Sequence, residues 1–293
     1  MGKIEEFYNK RYKLLLIAPL IIIILSFAII GNFKAKNGDY VEKDVSLKGG
    51  VSATVYLQER VNSEEVNNFL GKELNEEVFV RNLATIEDVN QGFLVEVSNV
   101  DSEKLEKILE EYLKVDLNDE NFFVEETGSK LGEDFYKQMV RAILIAFVLM
   151  GITVFIIFRK IVPSIAVILS ALMNLIGTVA LIDIFGIKVS AAGVSALLLL
   201  IGYSVDTDIL LTTRMIKRKE GSIWNRIVSS AKTGLTMTAA ALGAMGIGYI
   251  FAQSIVLKQM FSIIFLGLLV DVIATYIMNA GLLKWYLEKK ENG

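Results

Sequence analysis

The sequence predicts an α-helical membrane protein of six transmembrane helices, with a small α+β domain of order βαββαβ inserted between spans one and two. Three observations carry that prediction. First, 53% of the 293 residues are hydrophobic and mean hydropathy is +0.50 although 22% are charged. Both hold only if charge and apolarity are segregated along the chain, which excludes a water-soluble enzyme. Second, apolar runs able to cross about 30 Å of hydrocarbon, roughly 20 residues each, fall at 14–30, 140–158, 161–182, 189–211, 235–251 and 260–283. Third, the long polar stretch after the first run alternates between strand-like and helical periodicity.

The first run has no small-x-small cleavage site at its end, so it is expected to be a retained anchor rather than a signal peptide. Basic residues in short loops resist translocation and set orientation. Lys3, Lys10, Arg11 and Lys13 precede span one, and Arg159 and Lys160 join spans two and three. Arg214, Lys217, Arg218, Lys219, Arg226 and Lys232 join spans four and five, and Lys284, Lys289 and Lys290 end the chain. All lie on one side, while the opposite short loops carry only Lys188 and Lys258. The expected placement is a multi-pass protein of the cytoplasmic membrane with both termini in the cytoplasm. Its expected units are 1–31 (terminus and first span), 32–133 (external domain) and 134–293 (five-helix bundle). Charge agrees: residues 31–137 hold 24 Asp plus Glu and 12 Lys plus Arg, net −12, which leaves the remainder at +9 and the whole at −3.

Within the external stretch, Val51, Ala53, Val55 and Leu57 alternate as a strand over 51–57. Ser63 is an N-cap candidate for a helix whose Val66, Phe69, Leu70 and Leu74 make one stripe. Strands at 77–83 and 92–97 follow. Asp101 then caps a helix with Leu105, Ile108, Leu109 and Tyr112 on one face, and 122–125 is a fourth strand. The order βαββαβ is that of a ferredoxin-like split βαβ sheet with two helices on one face. The patterning leaves the other sheet face polar, without the apolar cavity an exporter would need. Lys48, Gly49 and Gly50 read as a turn before the first strand.

Zero Cys and zero His exclude thiol catalysis, disulfides, Cys/His zinc sites and Ser-His triads, so proton handling falls to carboxylates, Lys, Arg or Tyr. No Walker loop is present, no enzymatic activity, metal or cofactor is expected, and the near-neutral balance argues against nucleic acid as a partner. Ionisable groups inside hydrocarbon are costly and are functional candidates by default. Span four carries Asp206 and Asp208 near Arg214; span six carries Asp271 near mid-membrane; Asn174 in span three sits at similar depth, with Thr236 and Thr238 in span five. Helical spacing places Ser195, Leu199, Gly202 and Asp206 on one stripe suited to close packing against another helix, with Asp208 pointing almost oppositely. One carboxylate is thus expected in the bundle interior and the other at an interface. An interfacial ion pair of Asp206 or Asp208 with Arg214 or Lys217 is the structural alternative. Gly234, Gly243, Gly246 and Gly248 read as close-packing positions.

One span, an external α+β domain and five clustered spans, with GYSVDTDILLTTR (Gly202 onward) ending the fourth, resemble the SecF branch of the SecD/SecF protein-export family in its archaeal form. LKGG (Gly49 and Gly50) matches the family's glycine pair. Tyr203 and Ser204 match its GYS segment, and KTGLTMT, with Thr233 and Thr236, its RT-x2-T segment. The family's His-Asp pair falls here on Met173 and Asn174, the Asp of its Asn-Asp pair on Thr207, and its Asp before Arg on Thr213, so the acids are rearranged. The resemblance implies an RND-superfamily half-transporter that works with SecD beside a SecYE-type channel in contact with membrane lipid. There it promotes export of translocating preproteins, coupled to a proton or ion gradient. Asp206, Asp208, Arg214, Asp271 and Asn174 are the expected coupling residues, with Arg214 tuning the protonation of the acids. A stand-alone RND-like exporter of lipid or small molecules and a passive assembly factor are the competing readings.

Overall fold

The computed structural model describes residues 2–57, 61–76, 78–83, 92–98, 100–118, 120–217, 221–252 and 254–291. Six helical segments among them are long and apolar enough to span a membrane: Glu5–Asn37, Lys130–Phe158, Ile161–Ile184, Ala191–Ile216, Ile223–Phe251 and Val256–Lys290. The chain is a multi-pass membrane protein. Arg218 and Lys219, and Glu77 at the start of the expected second strand, lie outside the described residues.

The first span is α1 (Gly2–Leu15) followed, after a break at Leu16, by α2 (Ile17–Asn37). Pro19 sits in the first turn of α2, where a missing N–H removes no helical bond. Next comes a single turn, α3 (Val45–Lys48), capped by Asp44, whose side chain accepts from the Ser46 N–H at 2.9 Å. The α+β unit follows as β1 (Gly50–Tyr56), α4 (Ser63–Leu74), β2 (Val78–Asn82), β3 (Gly92–Val97), α5 (Ser102–Leu113) and β4 (Phe122–Thr127). Asn62, not Ser63, caps α4: its Oδ1 accepts from the Glu64 N–H at 3.1 Å, so the helix begins one residue earlier than the Ser63 reading implies. Asp101 caps α5 as expected, accepting from the Glu103 N–H.

The four strands form one antiparallel sheet in the order β2-β3-β1-β4. Register pairs Val51 with Val97, Ala53 with Val95 and Val55 with Phe93, so one face is wholly apolar. It buries Val66 and Leu70 of α4 and Leu105 and Leu109 of α5, all fully enclosed. Each such side chain contributes about 1.5–3 kcal/mol on leaving water. The second face differs from the polar surface expected. Phe79, Leu94 and Phe123 share it with Arg81, Glu96 and Glu125 over a cavity of about 840 Å³, floored by Tyr249, Phe261 and Phe265 at the near end of the bundle. Period-two alternation identifies the apolar face but does not show what covers the other.

Both glycines of LKGG meet a steric demand. Gly49 (φ 85°) ends α3, and Gly50 (φ 132°) enters β1 so close to the Val97 carbonyl of β3 that a Cβ would overlap it. The chain returns to the membrane through α6 (Ser129–Phe158), which starts well before the apolar run because its polar first turns are helical too. Then follow α7 (Ile161–Ile184), α8 (Ala191–Ile216), α9 (Ile223–Phe251) and α10 (Ile255–Ile273). A π-turn (Ala274–Asn279) joins α10 to α11 (Ala280–Glu291).

α7, α8 and α10 are the enclosed helices; α2, α6 and α9 pack around them and leave most of their apolar surface exposed. Of the span-five glycines, Gly248 packs against the Phe261 ring and Gly234 against the Tyr276 hydroxyl, while Gly243 meets nothing. At the end far from the sheet, Lys284 is buried rather than part of a solvated basic rim. Its ammonium lies 4.9 and 4.5 Å from the Tyr8 and Tyr12 ring centroids and donates to Asn9 Oδ1, clamping α1 to α11.

Candidate functional site

Three helices of the bundle each carry a polar stripe at helical spacing. α7 supplies Ser170, Asn174 and Thr178; α8 supplies Ser204, Thr207, Asp208 and Thr212; α10 and the π-turn supply Asp271, Thr275 and Asn279. All ten side chains are buried, with Asp208 at 0% and Asp271 at 1% exposure. Residues four apart lie one above another on a helix, and a polar stripe in hydrocarbon is stable only facing another. The three stripes therefore meet and form the interior of the bundle.

Asp271 is the better solvated carboxylate. Its Oδ1 accepts from Ser204 Oγ at 2.5 Å and, at 3.4 Å each, from Asn174 Nδ2 and Thr275 Oγ1; its Oδ2 accepts from Thr207 Oγ1 at 2.9 Å. Thr207 also lies 2.9 Å from the Ser204 carbonyl and 3.4 Å from Thr275 Oγ1, so its one proton has competing acceptors. Asp208 is held on one oxygen only: Oδ1 accepts from Asn279 Nδ2 at 2.7 Å and Ser170 Oγ at 3.0 Å, while Oδ2 has no partner. The ion pairs among the described residues include neither carboxylate. Without a cation to offset their desolvation, two buried acids can share the site only if at least one positive charge joins them.

The expected coupling residues divide. Asp208, Asp271 and Asn174 come together in the cluster. Asp206 lies on the exposed side of α8 with Ser195, Leu199, Gly202 and Tyr203, a stripe that no helix covers among the described residues. Arg214 turns away from the acids and donates to the Ser229 carbonyl at 2.5 Å and to Ser229 Oγ at 3.1 Å. The interfacial pair of Asp208 with Arg214 is therefore replaced by amide and hydroxyl contacts, because Asp208 points inward. Thr233 and Thr236 are exposed on α9 and return their hydroxyls to their own helix, at the Ser229 and Lys232 carbonyls. Gly49 and Gly50 are at the sheet, Tyr203 is half-exposed, and Ser204 is the motif residue that reaches an acid.

Sequence reading missed Ser170, Thr275 and Asn279. Their signal is the i, i+4, i+8 spacing of polar residues in otherwise apolar spans, Ser170, Asn174 and Thr178 in one and Asp271, Thr275 and Asn279 in another.

A second polar constellation joins the sheet to the bundle. Asp44 N–H donates to the Val189 carbonyl and Val189 N–H to the Glu42 carbonyl, a short parallel bridge. Ser46 Oγ accepts from the Ala191 N–H at 3.1 Å and donates to Asp44 Oδ1 at 2.5 Å. Burial, with the nearby Glu96 carboxylate, pushes the Asp44 carboxyl up to about 6 against the lowering effects of Ser46 and Lys188.

Residues 105–289 match the family described as "Protein export membrane protein SecD/SecF, C-terminal". The chain belongs to the SecD/SecF protein-export family. Curated relatives named "Protein-export membrane protein SecF" include that of Pyrococcus furiosus, 36% identical over 99% of both chains. Those of Methanothermobacter thermautotrophicus (35%, 95% of this chain and 94% of the relative) and Methanocaldococcus jannaschii (34%, 95% and 96%) are similar. Among solved structures, SecDF of Thermus thermophilus, titled a translocon-associated membrane protein, superposes with a TM-score of 0.79 at 19% identity. That match covers 96% of this chain and 38% of SecDF, and shows a shared fold. The family membership and full-length relatives make this a SecF-like protein-export subunit, and nothing in them favours a stand-alone exporter.

Proposed function

We propose that this chain acts with SecD at the Sec channel, promoting the export of preproteins by coupling ion movement through its bundle to motion of its α+β unit. The observation that carries the reading is the Asp208 and Asp271 cluster. Two carboxylates buried in three enclosed spans, solvated by hydroxyls and amides, make a site whose net charge changes with one bound cation or proton. Incompleteness supports the partner. The chain corresponds to 38% of SecDF, and the α8 and α9 stripe bearing Asp206, Gly202, Thr233, Thr236, Ala240 and Gly243 is exposed. A carboxylate on the open face of an apolar helix calls for donors from another helix.

In this reading residues 1–31, 32–133 and 134–293 are the anchor, the external domain and the bundle, with both termini cytoplasmic and residues 32–133 extracellular. The loop charges support that topology. The external domain is ferredoxin-like, supported by the element order and the all-antiparallel strand order β4-β1-β3-β2. The SecYE-type channel, the preprotein and surrounding lipid are the remaining partners, and no catalytic chemistry is assigned to the chain.

The test replaces Asp208 and Asp271 singly by Asn and measures secretion of a reporter in cells lacking the native copy. Loss of gradient-stimulated export with normal membrane insertion supports the coupling. Undiminished export in both variants overturns it.

A further inference from the structure

Two buried polar atoms in the cluster lack partners, and they belong to side chains already bonded to each other. Asn279 Nδ2 donates to Asp208 Oδ1 at 2.7 Å, while Asn279 Oδ1 and Asp208 Oδ2 both have no partner and no contact with solvent. Both side chains are 0% exposed. A carboxamide and a carboxylic acid have matching edges: each presents two polar atoms side by side, and one N–H···O and one O–H···O bond close a planar ring. An ionised carboxylate has acceptors only and cannot make the second bond. Buried acceptors are rarely left unmatched, and one proton accounts for both of these.

We propose that Asp208 and Asn279 form an amide–acid pair that stores one proton, with Asp208 Oδ2 donating to Asn279 Oδ1, while Asp271 is the member of the cluster that stays ionised. The division follows from the donors. Asp271 has contacts from Ser204, Thr207, Asn174 and Thr275, whereas Asp208 has Ser170 and Asn279 on a single oxygen. Among the described residues, the ionisable groups that face Asp208 are Asp271 from α10 and Tyr276 from the π-turn; Ser170 approaches from α7 and the Thr275 hydroxyl from the π-turn, and on its own helix Arg214 is turned toward Ser229. Among the described residues no cation pairs with either carboxylate. Asn279 is a positioning residue: its amide fixes which oxygen carries the proton. The inference rests on the ion-linked reading for its meaning in transport, but its test is read on the purified protein.

That test is infrared difference spectroscopy of the full chain in lipid bilayers at neutral pH. Wild type minus D208N is expected to show the carbonyl stretch of a protonated carboxylic acid, and wild type minus D271N is expected to lack it. In N279L the band should move to the frequency of an acid without its amide acceptor, and in N279D its pH midpoint should shift. A wild-type minus D208N spectrum without the acid band overturns the proposal. If sodium ions instead stabilise wild type against heat and fail to stabilise D208N, the site holds a metal cation and the proton assignment is wrong. Loss of export in D208N with no acid band would leave the coupling reading standing and sink only this one.

Discussion

Lys188 Nζ lies 2.7 Å from Glu96 Oε2 and 3.6 Å above the centroid of the Phe79 ring, so one lysine from the loop between α7 and α8 grips two strands of the sheet. The loop is itself held by Gln259, whose amide donates to the Lys188 carbonyl and whose oxygen accepts from Ser190 Oγ. Replacing Lys188 by Met leaves Glu96, 8% exposed, without its ion partner. Loss of a charge-assisted bond of this kind costs about 2 kcal/mol. Faster amide exchange in β2, β3 and residues 185–190, with no change in the core of α8, is the expected result.

The joint is pH-sensitive through Asp44. Its carboxyl is at about 6 in the docked arrangement against an ordinary 3.8, so the docked form binds the proton more tightly than a detached, hydrated Asp44 would. Docking is therefore strongest below the ordinary 3.8, weakens as pH rises from there to about 6 and changes no further above it, with each unit of difference worth about tenfold in the equilibrium. Asp44→Asn should flatten this dependence between 3.8 and about 6, measured as exchange at residues 41–48 against pH.

Gly50→Ala places a methyl against the Val97 carbonyl at a φ of 132°. Strain of this kind costs about 1–3 kcal/mol before any displacement of β3 is counted. The midpoint of thermal unfolding of the α+β unit should fall, and Ser52→Ala in the same strand serves as a control with little effect.

In the sheet core, Leu70→Ala and Leu105→Ala should each destabilise the unit by about 2–5 kcal/mol, the usual range when a buried Leu is cut back. Chemical denaturation read at the tyrosines would show it, while the bundle should keep its helical signal.

Asp206→Leu should behave oppositely to the interior acids. Asp206 is exposed and its replacement by an apolar side chain suits hydrocarbon, so heat stability of the isolated chain should hold or rise. Co-purification with the partner subunit from native membranes should fall if that face is the interface.

The spans, the strand order along the chain and the apolar sheet face were legible because each depends on local periodicity alone. Val51, Ala53 and Val55 must share a face in any strand, and the helix after Asp101 must start there. What was not legible depended on neighbours distant in sequence. Nothing near Lys188 announces Glu96, 92 positions away, and helical spacing set Asp208 opposite Asp206 without telling which of the two faces the interior. Arg214 misled for the same reason. Proximity in sequence suggested a partner, whereas a helical rotation sends its guanidinium to Ser229. Asn279 was missed because the acid it bonds, Asp208, lies 71 positions away in another span.

The π-turn at Ala274–Asn279 has a mechanical corollary. Such a turn accommodates one residue more than an α-helix would, and so sets the angular phase of everything beyond it. Asp271 lies before the turn and Asn279 at its end, which makes the angle between them adjustable by winding alone. Tightening the turn to α geometry would swing Asn279 by about 100° around the axis, away from Asp208. The sixth span could then act as a crank, in which gain or loss of one charge in the bundle is converted into torque on α11 and on the α1 helix clamped to it by Lys284.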